Sequence, residues 1–441
     1  MIKPLMGRKG MKIRAVDGFE ESGHDNILST PLYYHANPGD KLTLLDKNYK
    51  FNVATYRPEV EPRWMYTYDY APEQSWTIYN NDLSGESYRQ DAYIFNERVY
   101  FRVCLRKVNG KVFDGPEDIN SIISFSTEPV PEKSKLWLDD EVRRVLEQVE
   151  SHRAKEDMAF ILMTDTHYTV NGTWDDTLNA VKQLNKGISL NGIIHLGDMT
   201  DGMVTRDATR HYVINLMDDL KSCGIPVWIT IGNHDANYFQ NNPEPFTDEQ
   251  IKELYFGGSS EGSTGGDDVR YCVDLPGFRL VFLDSFDPNE KLRYGYSKEC
   301  LMWLEEALKS TPENSKTLIL SHLPPLTRLQ FWTKELRGEK ELAYILKNHE
   351  GKLIAWINGH NHADRPDNDD GYPIVSIANA KCEAFTEYKA AGFVTPHREL
   401  NTVTQEAFDI MLVNIEDGTI RFIRFGAGED RLIKDGKAMW L

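Results

Sequence analysis

Five short apolar runs in this chain each end in aspartate, histidine or asparagine, and that recurrence limits the folds open to it. Ala159-Phe160-Ile161-Leu162-Met163 leads into Thr164-Asp165-Thr166-His167, and Gly192-Ile193-Ile194-His195-Leu196 leads into Gly197-Asp198. Ile225-Pro226-Val227-Trp228-Ile229-Thr230-Ile231 leads into Gly232-Asn233-His234-Asp235. Thr317-Leu318-Ile319-Leu320 is followed by Ser321-His322, and Leu353-Ile354-Ala355-Trp356-Ile357 by Gly359-His360-Asn361-His362. Short, β-branched, apolar runs of this kind are buried strands. Helical segments alternate with them: Asp175 to Lys186 from an acidic cap, a stripe of Val213, Leu216, Met217 and Leu220, and another of Leu301, Leu304 and Leu308. Strand–helix alternation means a layered α/β domain with parallel strands. Parallel strands finish on one edge of a sheet, so the five polar groups can converge where open α/β sheets bind ligands.

The chain before Thr127 has another texture. β-prone runs such as Lys41–Leu45 and Val99–Leu105 are separated by turn signals at Asn37-Pro38-Gly39-Asp40, Asn80-Asn81-Asp82 and Asn109-Gly110. This predicts an antiparallel β-sandwich. Its aromatic residues, Trp64, Tyr66, Tyr68, Tyr70, Trp76, Tyr79 and Tyr93 among them, fill a sandwich core or form a platform for a glycan or partner protein. Pro129–Lys133 reads as a linker, and Val142, Val145, Leu146 and Val149 mark an amphipathic helix after it. The expected organisation is a β-sandwich accessory domain over 1–128, linker and helix over 129–157, and an α/β domain over 158–441. Arg279–Leu283, Ile410–Val413 and Ile420–Phe425 supply further strands of that domain.

A formal net charge of −18 argues against nucleic acid as a partner. It leaves room for a small phosphorylated substrate, because bound cations reverse the local field. No signal peptide and no run of membrane-spanning length is visible, and the five cysteines are scattered. A cytoplasmic protein with reduced thiols is therefore expected. The glycine-rich stretch from Gly257 to Gly266 has no lysine or helix after it in the phosphate-loop arrangement and reads as surface loop. Leu283-Asp284-Ser285 reads as structural, with no histidine nearby to form a serine triad.

The residues at the strand ends suit two metal ions. Imidazoles and carboxylates without thiolate favour manganese, iron or zinc. Two such cations about 3.5–4 Å apart clamp a phosphate and generate hydroxide at neutral pH. Alternate residues leaving a strand point to one side, which would bring Asp165 and His167 together.

The order DxH, GD, GNHD, H and GHxH resembles the calcineurin-like metallophosphoesterases over about Met158 to Phe425. The resemblance implies an αββα sandwich with a dinuclear metal site, the metals divalent or trivalent. By that resemblance Asp165, His167 and His362 hold one metal, Asn233, His322 and His360 the other, and Asp198 bridges them. His234 is then the catalytic group that stabilises the phosphoryl transition state or protonates the leaving oxygen. Asp201 occupies the position of an aspartate that orients this histidine in protein phosphatases. GNHD in place of GNHE, and no Asp-Arg-Gly after the GD, separate the chain from protein phosphatases. His167 and Asp201 stand where purple acid phosphatases have glycine and a tyrosine ligand.

The implied activity is hydrolysis of a phosphodiester or small phosphomonoester by in-line attack of metal-bound hydroxide. The alternative is a catalytically silent scaffold that binds a glycan or partner through its β-sandwich. Leu323 to Trp332, with Phe385, Tyr388 and Phe393, either shape the substrate pocket or belong to the core. Asp235 is expected to support its loop rather than act in the chemistry.

Overall fold

The structure, a computed structural model, describes the 441-residue chain apart from 1, 14–19, 57–77, 82–87, 98, 115–116, 128–134, 169–172, 203–205, 239–243, 258–262, 265–268, 288, 383–391 and 415. It divides into two compact units, Met1–Lys133 and Ser134–Leu441.

In the first unit, one antiparallel sheet runs in the order Ile2–Lys3, Ile123–Ser126, Lys41–Leu44, Ala92–Ile94. The other is built around Val99–Lys107, which pairs with Glu20–Ser29, Tyr34–Ala36 and Tyr49–Tyr56. Side chains alternate along a strand, so every second residue can face inward. Leu42, Leu44, Ile123 and Phe125 of the first sheet share one buried cluster with Phe51, Val53, Phe101 and Val103 of the second. Two sheets enclosing one core are consistent with the expected β-sandwich. Tyr93 packs against this core, its ring centroid 5.0 Å from that of Phe95. Asn80 and Asn81, read from sequence as a turn, instead continue the strand Ile78–Asn81 and pair with Thr55 and Ala54. Cross-strand pairing here overrides a local turn preference. Trp64, Tyr66, Tyr68, Tyr70, Trp76 and the Pro129–Lys133 linker lie outside the described residues.

The second unit is an αββα sandwich. Its first sheet has a parallel part, Val227–Ile229, Gly192–His195 and Met158–Met163, continued by antiparallel Ala407–Val413, Ile420–Gly426, Arg431–Lys434 and Lys437–Trp440. The second sheet has parallel Phe278–Leu283, Lys316–Ser321, Leu353–Asn358 and Ile374–Ser376 at its centre. Leu280, Phe282, Leu318 and Leu320 turn towards the core shared with the first sheet. Their neighbours Val281, Leu283 and Ile319 pack on the other face against Leu301, Leu304 and Leu308 of helix Lys298–Lys309 and Leu342 and Leu346 of helix Glu339–Asn348. Helices Leu136–His152, Trp174–Ile188 and Arg206–Lys221 bury their apolar stripes with the first sheet.

Local departures from the sequence reading have local causes. The strand expected over Ile225–Ile231 is shorter, Val227–Ile229: Pro226 has no N–H to donate at its start, while its carbonyl accepts from Ile193 and Thr230 N–H donates to the His195 carbonyl just past its end. The helix expected from an acidic cap begins one residue earlier, at Trp174, and the side chain of its N-cap Thr173 makes no capping bond. Asp175 and Asp176 sit in its first turn, where the helix dipole favours them. Among the described residues no helix is long and apolar enough to cross a membrane.

The closing segment Arg424–Arg431 folds two arginines into the interior. Arg424 donates to Asp364 (2.7 Å) and Asp409 (2.9 Å), Arg431 pairs with the same two carboxylates, and all four side chains are about 1–2% exposed. Two cations against two anions satisfy one another; removing one member leaves buried charge uncompensated. Arg424→Met should lower the unfolding free energy by about 3–5 kcal/mol, measured by denaturant titration of the full chain. A loss below about 1 kcal/mol would show that the network behaves like a solvent-exposed ion pair.

Candidate metal centre

The loops leaving the two sheets bring the predicted ligands into two buried groups, Asp165–His167–His362 and Asp198–His322–His360. In the first, Asp165 Oδ1 lies 3.1 Å from His362 Nε2, and His362 Nε2 lies 3.3 Å from His167 Nε2. In the second, His322 Nε2 lies 3.1 Å from Asp198 Oδ2, 3.2 Å from Asn233 Oδ1 and 3.3 Å from His360 Nδ1.

The donor set fits cations. His322 Nδ1 is 2.8 Å from the Leu196 carbonyl and donates to it, so in the neutral ring the Nε2 lone pair faces a carboxylate oxygen, an amide oxygen and another imidazole. Asp165 Oδ1 is buried and makes no hydrogen bond. Acceptors gathered in this way cost free energy unless a cation sits among them. The local potential points the same way. Burial disfavours the His322 imidazolium, yet the Asp198 and Asp165 carboxylates raise its pKa to about 9. Burial and the neighbouring His322 bring His360 down to about 3, which leaves its ring unprotonated and able to ligate. Burial pushes the Asp165 carboxyl up, but His362 beside it holds it well below the usual carboxylate range.

Backbone geometry explains how short loops aim so many groups at one place. Asp165, His167, Asp198, His360 and His362 have φ of 51°, 43°, 53°, 66° and 53°, the left-handed region that costs a non-glycine residue of order 1–3 kcal/mol. Asp165 and His167 therefore converge through a tight turn, not by the alternation of a continuing strand. The turn is held from the neighbouring loop: Asp165 N–H donates to the Gly197 carbonyl (3.0 Å) and His167 N–H to that of Asp198 (3.1 Å). Gly232 is required by close approach, since a Cβ there would stand 2.1 Å from Asp198 Oδ1.

Residues 158–364 match the model of the calcineurin-like phosphoesterase family. This is a calcineurin-like phosphoesterase domain. The chain that carries it is a metal-dependent phosphoesterase. No curated protein matches the chain. Among solved structures, a dimetal phosphatase from Danio rerio is similar at 19% identity and a TM-score of 0.47, with 63% of this chain and 98% of that one covered. GAP50 of Plasmodium is similar at 13% identity and 0.43, covering 65% and 88%. A phosphopantetheinyl hydrolase from Mycobacterium tuberculosis is similar at 12% and 0.35, covering 51% and 91%.

Within the phosphoesterase domain, His234 belongs to neither ligand group but adjoins them, its ring 4.8 Å from that of His167. Its Nδ1 donates to the main-chain carbonyl of Asp201 at 2.6 Å, and its Nε2 lies 3.8 Å from Asp198 Oδ2. Burial lowers the pKa of this imidazole, and the Asp198 carboxylate works against that. The Asp201 carboxylate lies 3.6 Å from His167 Nδ1. Asp201 thus meets the catalytic candidate through its backbone and a ligand candidate through its side chain. Asp235 is fully buried and accepts from the amides of Asp198 (2.8 Å), Met199 (2.8 Å) and Gly232 (2.9 Å).

Two contributors, His195 and Asn361, escaped the sequence reading, and a third, Trp332, lies in the stretch expected to belong to pocket or core. His195 bonds Thr166 Oγ1 at 2.7 Å beneath the first loop, but its place inside an apolar run hid it. Asn361 accepts from Phe331 N–H at 3.0 Å and donates to the Leu329 carbonyl at 2.9 Å. Trp332 Nε1 donates to the His360 carbonyl at 2.8 Å. A polar residue between two candidate ligands is the one local hint of Asn361. Phe385 and Tyr388 lie outside the described residues. Gly232→Ala should push Asp198 out of place, so elemental analysis of the purified variant should find much less bound metal than in the parent, with Asp198→Ala at least as severe.

Proposed function

We propose that this chain hydrolyses a phosphodiester or small phosphomonoester at a dinuclear centre of manganese, iron or zinc. The observation that carries this reading is the pairing of two buried carboxylate–imidazole groups with a histidine, His234, whose outward nitrogen faces the bridging candidate Asp198. In this reading Asp165, His167 and His362 hold one ion, Asn233, His322 and His360 the other, and Asp198 is shared. Bound there, the two ions supply a nucleophile at neutral pH and neutralise charge on the phosphoryl oxygens. Asp198 Oδ1 accepts from His234 N–H at 2.8 Å, and its carboxylate would be shared by the ions when they are bound. His234, tethered at Nδ1, presents Nε2 to the developing negative charge and, when protonated, gives its proton to the departing oxygen. Asp201 positions His234 through its carbonyl and His167 through its carboxylate.

We place the accessory domain at 1–128, the linker and helix at 129–157 and the catalytic domain at 158–441. The accessory domain is where a glycan or partner protein would dock, a reading supported by the aromatic residues of its sequence. Free thiols at Cys104, Cys223, Cys272, Cys300 and Cys382 support a reducing, cytoplasmic setting.

Purified protein supplied with manganese, iron or zinc should hydrolyse p-nitrophenyl phosphate or bis-p-nitrophenyl phosphate, lose activity on chelation and regain it when metal returns. His234→Ala should cut turnover by about 10²–10⁴-fold while elemental analysis finds the parent's metal content. Activity that survives complete metal removal would overturn the proposal. Because the His234 tether is a backbone carbonyl, Asp201→Ala should lower turnover far less than His234→Ala; equal losses would mean that the Asp201 carboxylate itself serves the catalytic histidine.

A further inference from the structure

The strand Phe278–Leu283 supplies no candidate metal ligand, but the loop that leaves it carries an arginine beside the metal centre. Phe286 and Tyr294 pair across this loop in an antiparallel bridge, and Asp287 N–H donates to the Arg293 carbonyl at 2.9 Å, which fixes where the loop returns. The Tyr294 ring then lies 5.7 Å from that of His360 and 5.3 Å from that of Phe286. The Arg293 guanidinium sits 4.0 Å over the ring of Tyr238, a residue that follows His234 along the Gly-Asn-His-Asp loop. Arg293 is thus placed from two sides, by its neighbour against a candidate ligand and by the loop of the catalytic candidate.

This guanidinium has no anion although the chain is rich in them, with 68 acidic residues against 50 lysines and arginines. The two carboxylates of the same loop go to another arginine: Arg337 Nη1 lies 3.7 Å from Asp287 Oδ2 and 3.4 Å from Glu290 Oε1. Among the described residues Arg293 has neither a carboxylate nor a hydrogen-bond acceptor for its side chain, and its Nε is buried. A half-buried guanidinium with only an aromatic face beneath it forgoes the charge-assisted, two-pronged bonds that arginine makes with carboxylate or phosphate. Its charge also reaches towards the metal centre. Burial and the Asp198 carboxylate raise the pKa of the Tyr294 hydroxyl while Arg293 lowers it, so that one oxygen feels both the bridging candidate and the arginine. An extended anion with one end among the metal ligands therefore has a cation waiting for its other end.

We propose that Arg293 binds a second anionic group, carboxylate or phosphate, on a substrate whose phosphoester lies at the metal centre, and so selects substrates with two anionic ends over those with one. The inference rests on the phosphoesterase reading for where the substrate sits but can be tested without turnover. Hexylphosphonate, 6-phosphonohexanoate and 1,6-hexanediphosphonate share a head group and a chain, and none is hydrolysed at its carbon–phosphorus bond. Calorimetric titration into the manganese-loaded full chain should show the two ligands with a second anionic end binding about 10-fold tighter than hexylphosphonate, or more. Whichever of the two binds tighter names the second group, and 3-phosphonopropionate against propylphosphonate tests a shorter reach. 6-Aminohexylphosphonate, which puts a cation at that end, should bind more weakly than hexylphosphonate. Arg293→Gln should erase the preference while elemental analysis finds the parent's metal content, and Arg293→Lys, which keeps the charge without the planar fork, should retain part of it. If Arg293→Gln does not fold, Arg293→Met decides, because it keeps an apolar stem over Tyr238. Equal affinities within every pair, or a preference that survives Arg293→Gln and Arg293→Met, would overturn the proposal. A preference that these substitutions remove, in a protein that hydrolyses no phosphoester, would leave the Arg293 site standing and overturn the enzymatic reading instead.

Discussion

The carboxylate of Asp235 receives the main-chain amides of Asp198, Met199 and Gly232 within 2.9 Å, in a place where no water reaches it. Much of the site depends on this. The Gly-Asp loop and the Gly-Asn-His-Asp loop are each too short to hold their own shape, and Asp235 fastens one to the other. Burial and the nearby Asp198 raise its pKa to about 7, while the amides of Gly232 and Met199 pull it back down. Each of those buried amides would cost about 1–3 kcal/mol if left without an acceptor. With the loops joined, His234 N–H reaches Asp198 Oδ1, and the other carboxylate oxygen turns to the ligand group around His322. The tetrapeptide therefore divides its work: Gly232 permits the close approach, Asn233 and His234 face the centre, and Asp235 keeps the two loops in register.

Each ligand group draws on both sheets. Asp165 and His167 follow a strand of the first sheet, and His362 follows one of the second; Asp198 and Asn233 likewise meet His322 and His360 across the seam. Hydrogen bonds cross at the same place. His322 Nδ1 reaches the Leu196 carbonyl, and His360 N–H reaches Asp165 Oδ2 at 3.0 Å. The apolar core between the sheets sets their spacing, and these bonds set their alignment at the edge where the calcineurin-like chemistry is placed. A centre built this way resists small shifts, because moving one sheet would break both ligand groups together.

The loop that carries His360 and His362 is supported from two directions. Asn361 ties it to Leu329 and Phe331 on one side. Asp364, two residues after His362, ties it through Arg424 and Arg431 to the antiparallel strands that end the chain. The terminal strands thus do more than extend a sheet: they neutralise a buried carboxylate beside the metal loop. Without those arginines, Asp364 would be a buried anion close to an already anionic site.

Most of the strands, the helices behind them and the residues grouped at the centre can be read from the amino-acid sequence. Apolar β-branched runs announce buried strands, and histidines and aspartates directly after them have few structural uses. The sequence leaves open how those strands are shared between sheets, because Val281 and Leu280 are equally apolar although they face different layers. It also hides the left-handed turns at Asp165 and His362 and the carbonyl of Asp201 that holds His234. Strand identity is a local property, carried by the residues of the strand itself. Which oxygen meets which nitrogen is decided only when two sheets close on a common core, because the partners lie tens to hundreds of residues apart along the chain and no local pattern records their meeting.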